Sequence, residues 1–392
     1  MSFRSTSTAL TRVAAALALA LPSTLAAQQG GTSGAFIIRL GRDTIGVEQF
    51  TSTAQRVTGD ILLRSPVARL SHYDVRLDAQ GNPTRVDVTL GGLNGAPRPS
   101  QPRALTITFH GDSATQVITW PDSTSTNSFA VPSATVALPT NTSYALLEPV
   151  FARMRRSGTD SVNVNMLFFG SPRTFPASLV LHGDSATWWL FDYPTRLRVD
   201  ANGRIQSVNG QETTVKVDVA RVPRVDMKAV AARIATEPNG GNLGQLSSRD
   251  TVVASVGTAR LWVDYGRPQR RGRTIFGGVV PWGQVWRTGA NAATQFRTSV
   301  DLDVNGVTVP AGTYTLWTLP SESGTQLIVN KQTGQWGTEY DPKQDLVRIP
   351  MTTSRLDAPV EVFTIAVEPR GDAGVLAMRW GDMELSVPVH AK

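Results

Sequence analysis

Along "ALTITFHGDSATQVITW", Leu105, Ile107 and Phe109 alternate with Thr106 and Thr108, the period of two that gives a strand one buried face and one wet face. The same texture runs from about Gly34 to Val222. It returns in "DTVVASVG", "ARLWVDYG", "TQFRTSVDLDV", "GVTVP", "GTYTLWTLP", "TQLIVN", "VEVFTIAVE", "GVLAMRWGD" and "MELSVPVH". Gly81 and Gly203 stand where a hairpin needs positive φ, and Asn305-Gly306 is a strong two-residue turn signal. The pattern predicts a mainly β protein. An antiparallel β domain is expected over residues 33–222, and a jelly-roll-like β-sandwich of about seven to nine short strands over residues 248–392. No fixed period marks a propeller or a solenoid.

Helical texture is confined to two places. "YALLEPVFARMRR" predicts one short helix, which Pro149 is expected to kink or end early. "VDMKAVAARIATEP" predicts a second, closing at "NGGNLG", so residues 223–247 read as helix and linker with a boundary near Asn239 to Gly244. Two stretches read as long loops: Gly91 to Arg103 and the Ser/Thr-rich Pro121 to Ser143.

"HGDSAT" occurs twice, at His110 to Thr115 and at His182 to Thr187, and brings histidine, aspartate and serine together. A Gly-Asp pair between alternating strands is a hairpin turn, which sets His110 opposite Ser113 and His182 opposite Ser185. Asp112 and Asp184 then lie at the tips, where neither can orient a histidine as a triad carboxylate must. The repeat therefore reads as turn chemistry.

Composition narrows the function classes. Arg4 and Arg12 lead into an apolar, alanine-rich run ending near Ala27, the form of a signal peptide over residues 1–27, so the protein is expected to be exported, periplasmic or secreted. No later run approaches the ~20 apolar residues of a spanning helix, so no integral membrane segment is expected after signal cleavage. With 392 residues and no cysteine, stability rests on packing rather than disulfides, and thiol chemistry is excluded. The formal net charge of +7 includes those two leader arginines and is only mildly basic. His72, His110, His182 and His390 show no metal-ligand spacing, and phosphate-loop, dinucleotide and calcium-loop motifs are missing. No metal, no cofactor and no nucleic-acid partner are expected.

The candidate chemistry lies in "YGRPQRRGRTIFGGVVPWGQVWRTGANAATQFRTSV", Tyr265 to Val300. This stretch holds Arg267, Arg270, Arg271, Arg273, Arg287 and Arg297 and no acid, beside Phe276, Trp282 and Trp286. Guanidinium forks suit carboxylate, phosphate or sulfate. The structural alternative is that these arginines pack on rings and pair with Asp264, Asp301 or Asp341. Tyr314, Trp317 and Trp380 lie in strand patterns and read as core.

With "VPAGTYTLWTLP" and "LIVNKQTGQWGTEYDPKQDLVRIP" following in order, Arg260 to Met351, and more loosely Ser247 to Val389, resembles the bacterial family catalogued as domain of unknown function 2911. That resemblance implies an exported, β-rich domain without an assigned reaction. It also groups Tyr265, Arg267, Pro268, Gly272 and Arg273 with Trp286, Arg287, Gly289, Asn291 and Thr294, and with Asn330, Gln335, Trp336 and Gly337. The glycines and Pro268 are expected to set turns. Tyr265, Arg267, Arg273, Trp286, Arg287, Asn291, Asn330, Gln335 and Trp336 form the candidate ligand site, for an anionic small molecule or glycan or for an envelope component. Two alternatives stand beside it. One is a glycan hydrolase using a carboxylate pair drawn from Asp301, Asp303, Glu339, Asp341 and Asp345, although no pair is specified. The other is a structural or assembly module in which the arginine-rich segment serves a subunit or domain interface, with an envelope protein as a candidate partner.

Overall fold

The computed structural model describes residues 31–392, which form one compact unit, and the leader-like residues 1–27 lie outside the described part. The structure is mainly β, in two sheets of fifteen and nine strands. Among the described residues no helix is long and apolar enough to cross a membrane.

In the first sheet the chain meanders outward from Thr32–Leu40, each strand antiparallel to the one before, as far as Thr124–Ala130. It re-enters at the opposite edge through Thr135–Leu138, paired parallel to Ser161–Phe168, and meanders back until Asp218–Val222 pairs with the first strand. Period-two alternation turns Phe36, Ile38, Val57, Ile61, Tyr73, Val75, Val86 and Ile107 into one core with Leu179, Trp188 and Leu197. The helix Glu148–Ser157 adds Val150, Phe151 and Met154 to the same core, so the sheet curls around it. Each such aliphatic or aromatic side chain contributes about 1.5–3 kcal/mol by leaving water.

Three expectations are corrected here. Pro149 opens the helix rather than ending it, because a first-turn residue has no intrahelical use for its N–H; the helix runs on to Ser157 and stops at Gly158 with φ 67°. The supposed loop Pro121 to Ser143 contains strands Thr124–Ala130 and Thr135–Leu138. The first is an exposed edge strand with almost no apolar face and the second is buried throughout, so neither alternates. In the second sheet, segments that read as separate short strands fuse into Asp345–Arg370 and Ala373–Ala391, of 26 and 19 residues, which bend at register breaks and at Gly381 with φ 60°. The glycine-asparagine segment after the second helix is hydrogen-bonded to the first sheet. Arg64 donates to the Gly241 carbonyl at 2.9 Å and pairs with Glu237, while the Asn242 side chain accepts the Ala68 N–H at 2.7 Å.

That second helix, Met227–Ala235, is capped by Asp226, whose carboxylate accepts the N–H groups of Lys228 and Ala229, and it packs Met227, Ala231 and Ile234 on Val47 and Leu62. The nine-stranded sheet is antiparallel throughout and sandwich-like. Strands Ser247–Val256 and Ala259–Pro268 lie against the long strand Asp345–Arg370, and a single core of Leu261, Val263, Phe296, Leu327, Ile365, Met378 and Val387 fills the space between. Asn305-Gly306 turns Leu302–Val304 into Val307–Val309 as expected.

Both "HGDSAT" copies are hairpin turns. His110 pairs with Ser113 and His182 with Ser185, and Gly111 and Gly183 carry φ of 62° and 59°. Asp184 at its tip pairs with Arg198 at 2.8 Å, not with histidine. Gly81 and Gly203 also have positive φ, and a Cβ on Gly203 would lie 2.3 Å from the Ala152 nitrogen of the buried helix.

Candidate functional site

A cleft of about 670 Å³ runs between the two sheets. Its second-sheet wall is built by the turn from Trp286 to Asn291. Trp286 exchanges backbone hydrogen bonds with Thr318 at 2.8 and 2.9 Å, which fixes the turn on strand Gly312–Leu319. Its indole stacks on Trp380, with centroids 5.8 Å apart, and meets Phe363 edge-on at 5.1 Å. Thr288 and Asn291 then take left-handed φ of 53° and 63°, and the turn presses onto Gly266, where a Cβ would lie 2.0 Å from the Ala290 oxygen. Gly337 is required for a similar reason: its Cβ would meet the Arg287 Cδ at 2.0 Å. The Gly337 N–H donates to the Asn291 carbonyl at 2.9 Å, which brings the neighbouring Trp336, 48% exposed, to the same rim.

The first sheet supplies the facing wall: Tyr193, Pro194 and the hairpin loop Gln211 to Lys216. Lys216 sits at φ 56° and donates from Nζ to the Gln211 carbonyl at 2.8 Å.

Three cations therefore share the cleft, Lys216, Arg273 and Arg287, and none is ion-paired among the described residues. Arg273 spends its donors on the Arg270 and Gln269 carbonyls, at 3.0 and 2.6 Å. Arg287 makes one long bond to the Gly337 carbonyl at 3.4 Å, and its buried Nε has no partner. Burial pulls the pKa of Lys216 down, and the charges of Arg287 and Arg273 pull it further. Burial also lowers those of Arg287 and Arg273, the latter with help from Arg271. Glu212, the acid on the wall, is already bonded to Arg196 at 2.9 Å. The arrangement is an electropositive slot with tryptophan surfaces, suited to an anion.

Of the residues expected at a ligand site, the cleft collects Arg273, Trp286, Arg287, Asn291 and Trp336. The other four are placed elsewhere. Tyr265 is core, 1% exposed, against Phe363, with its hydroxyl reaching the Ile365 carbonyl. Arg267 is held by Asp250 at 2.9 Å, the Phe363 carbonyl and Thr364. Asn330 is fully buried and bridges the Asp341 carbonyl and the Asp345 carboxylate, both at 2.9 Å. Gln335 bonds to the Thr315 hydroxyl beneath the surface. Lys216 and Tyr193 were not anticipated, because they come from the other sheet, where a polar hairpin gives no signal that it faces arginines. Trp380 is core, 1% exposed, as its alternation indicates, and also backs the cleft.

The carboxylates considered for hydrolysis are engaged in turns. Asp301 accepts the Ala311 N–H, Asp303 that of Gly306, Glu339 that of Trp336 and Asp341 that of Lys343. Asp345 is shared by Tyr340, Arg348 and Asn330. None of them lines the cleft. Among the described residues no group of three histidine or acid side chains could hold a metal.

Residues 247–389 match the model of a family described as "Protein of unknown function (DUF2911)". No curated protein matches the chain. Among solved structures the chain is similar, at a TM-score of 0.30 and 11% identity, to a β-barrel-like protein of domain of unknown function DUF1849 from Brucella abortus, over 50% of this chain and 98% of that one. A likeness at that level carries no functional reading.

Proposed function

With residues 247–389 matched to a family that has no assigned reaction, we propose that the protein binds an anionic small molecule or glycan in the cleft between its two sheets. The observation that carries this reading is the convergence of Lys216, Arg273 and Arg287, without a paired carboxylate, beside Trp286 and Trp336. Cations held together at the cost of mutual repulsion and desolvation are stabilised when an anion enters. The tryptophan faces suit a ring or sugar attached to that anion. Arg287 and Lys216 supply the charge, Arg273 guards the mouth and Trp336 covers the ligand. On this reading the protein acts outside the cytoplasm, which the leader-like residues 1–27 support. Amino-terminal sequencing of the protein recovered from the envelope or medium tests that, and a chain still beginning at Met1 would count against it.

The binding reading is tested by thermal stability with citrate, phosphate, a uronic-acid oligosaccharide and its neutral counterpart. An anion at about a hundred times its dissociation constant adds roughly 2.7 kcal/mol to the wild type. Arg287→Ala should lose most of that gain, and the neutral sugar should give little. Equal stabilisation of the wild type and Arg287→Ala by every anion would remove the cleft as the binding site.

A further inference from the structure

Inside the first sheet lies a second hollow, of about 200 Å³, that shares no lining residue with the cleft. Alternate positions of successive strands, Ile61 and Leu63, Val88 and Leu90, then Leu105, face into it, and Phe169 closes one side. Tyr73 also lines it, but its hydroxyl is spent on the buried Glu48 at 2.9 Å, so the hollow is left almost wholly apolar.

One end of the hollow is different. Arg69 lines it and also lines a more open depression of about 400 Å³ that shares Leu90 and Pro102 and adds Arg98. Arg69 reaches the Ser65 carbonyl at 3.3 Å and Arg98 the Ala68 carbonyl, and neither guanidinium is ion-paired among the described residues. Burial and the Arg98 charge both weigh against the charged form of Arg69. A mostly apolar slot alone would take any hydrocarbon. Two unneutralised guanidiniums at its mouth select one that ends in an anion. A bilayer surface fits less well, because the exposed large hydrophobic at this mouth is Val67 alone, too little for an inserted face.

We propose that this slot binds a free, single-chain fatty acid, its chain among Ile61, Val88, Leu90 and Leu105 and its carboxylate on Arg69 and Arg98. The site is independent of the cleft and does not rest on it.

Calorimetric titration of the full chain with a series from hexanoate to dodecanoate, below micelle formation, tests the proposal. Affinity should rise about fourfold per methylene until the slot is full. The matching alcohols should bind at least tenfold more weakly than the acids, and inorganic phosphate should not bind here. Arg69→Gln combined with Arg98→Gln should bring decanoate down to the level of decanol, and Val88→Phe, which fills the slot, should abolish binding while circular dichroism stays unchanged. Arg287→Ala should leave decanoate binding as it is, which separates this site from the cleft. A flat chain-length series in the wild type overturns the proposal without reference to any variant. So do equal affinities for acid and alcohol, loss of decanoate binding in Arg287→Ala, or sedimentation with phosphatidylglycerol vesicles without binding of the monomeric acid.

Discussion

The two ends of the acid-free stretch 265–300 carry the same residue type into opposite situations. At one end Arg271 is 3% exposed and reaches across to Asp43 in the first sheet. Its carbonyl accepts the Arg42 N–H at 2.9 Å, and its own N–H donates to Glu361 at 2.8 Å. Beside it, Arg267 is taken by Asp250. At the other end Arg287 has one long bond to a carbonyl and no acid. Arg271 itself keeps two nitrogens without partners, so its seal is tight but not complete. A local run of arginines therefore does not decide whether the charges are free. Asp43 and Glu361, both distant in sequence, decide it. The first end bolts the sheets together and the second leaves its charge without an acid.

The sharpest way to break that contrast is to remove the bolt. Arg271→Ala leaves Asp43, only partly exposed, with the more distant Arg42 at 3.9 Å as its remaining ion pair, and takes away the side chain that fills the junction. The expected cost is about 3 kcal/mol, the lower range for opening a buried pair because Asp43 retains some water. Denaturant titration would read it as a lower midpoint. Asp43→Asn should recover part of the loss in the double variant, since it removes a charge that Arg42 alone, at 3.9 Å, balances weakly. If Arg271→Ala unfolds like the wild type, the bolt is not one. Gly41 gives a second approach: it sits at φ 60°, and a Cβ there would lie 2.2 Å from the Arg271 carbonyl oxygen, so Gly41→Ala should loosen the same junction.

A third arginine extends the comparison into the first sheet. Arg221 meets Glu148 at the start of the buried helix, and Glu148 also accepts the Ile205 N–H at 2.8 Å. Burial pushes the Glu148 carboxyl up to about 7 even with that guanidinium against it. A carboxyl whose folded pKa lies above its unfolded value stabilises the fold fully below the unfolded value, near 4.5, and that contribution is lost as pH rises through about 7. Thermal scans between those limits should fall by on the order of 2 kcal/mol from this group. Glu148→Gln should flatten that slope. A wild-type stability that rises over the same interval by this group's share, or a slope that survives in Glu148→Gln, would place the titration elsewhere.

How much of this was legible depends on whether the cause is local. Alternation is local, so the two β regions and most strands could be read, and the Gly-Asp and Asn-Gly turns gave their hairpins away. The strand Thr124–Ala130 could not be read because an exposed edge strand has no apolar face to alternate. The bent strand Asp345–Arg370 could not, because its register breaks look like ends. Five of the nine candidate residues line the cleft, all from the arginine-tryptophan turn and its neighbouring blocks. Tyr265, Arg267, Asn330 and Gln335 lie outside it, since polarity in a sequence does not reveal a partner already supplied by Ile365, Asp250, Asp345 or Thr315. Lys216 was invisible for the converse reason: only the meeting of the two sheets brings it to the cleft.

The smallest expected effect sharpens the contrast most. Arg287→Ala removes a charge that no carboxylate depends on, so no acid is orphaned. The loss of its stem against Gly337 is offset by relief of its repulsion with Lys216. The net change in unfolding free energy should stay within about 1 kcal/mol, in the range of substitutions that break no buried pair. The Lys216 ammonium, freed of that neighbour, should titrate at higher pH than in the wild type, and a lysine-selective NMR titration would follow it. A destabilisation as large as that of Arg271→Ala would mean that Arg287 holds the sheets together as Arg271 does, and the distinction between bolt and binding site would be gone. Near-neutral stability together with lost anion binding can arise only if the second end of the stretch is kept charged for something that is not part of the chain.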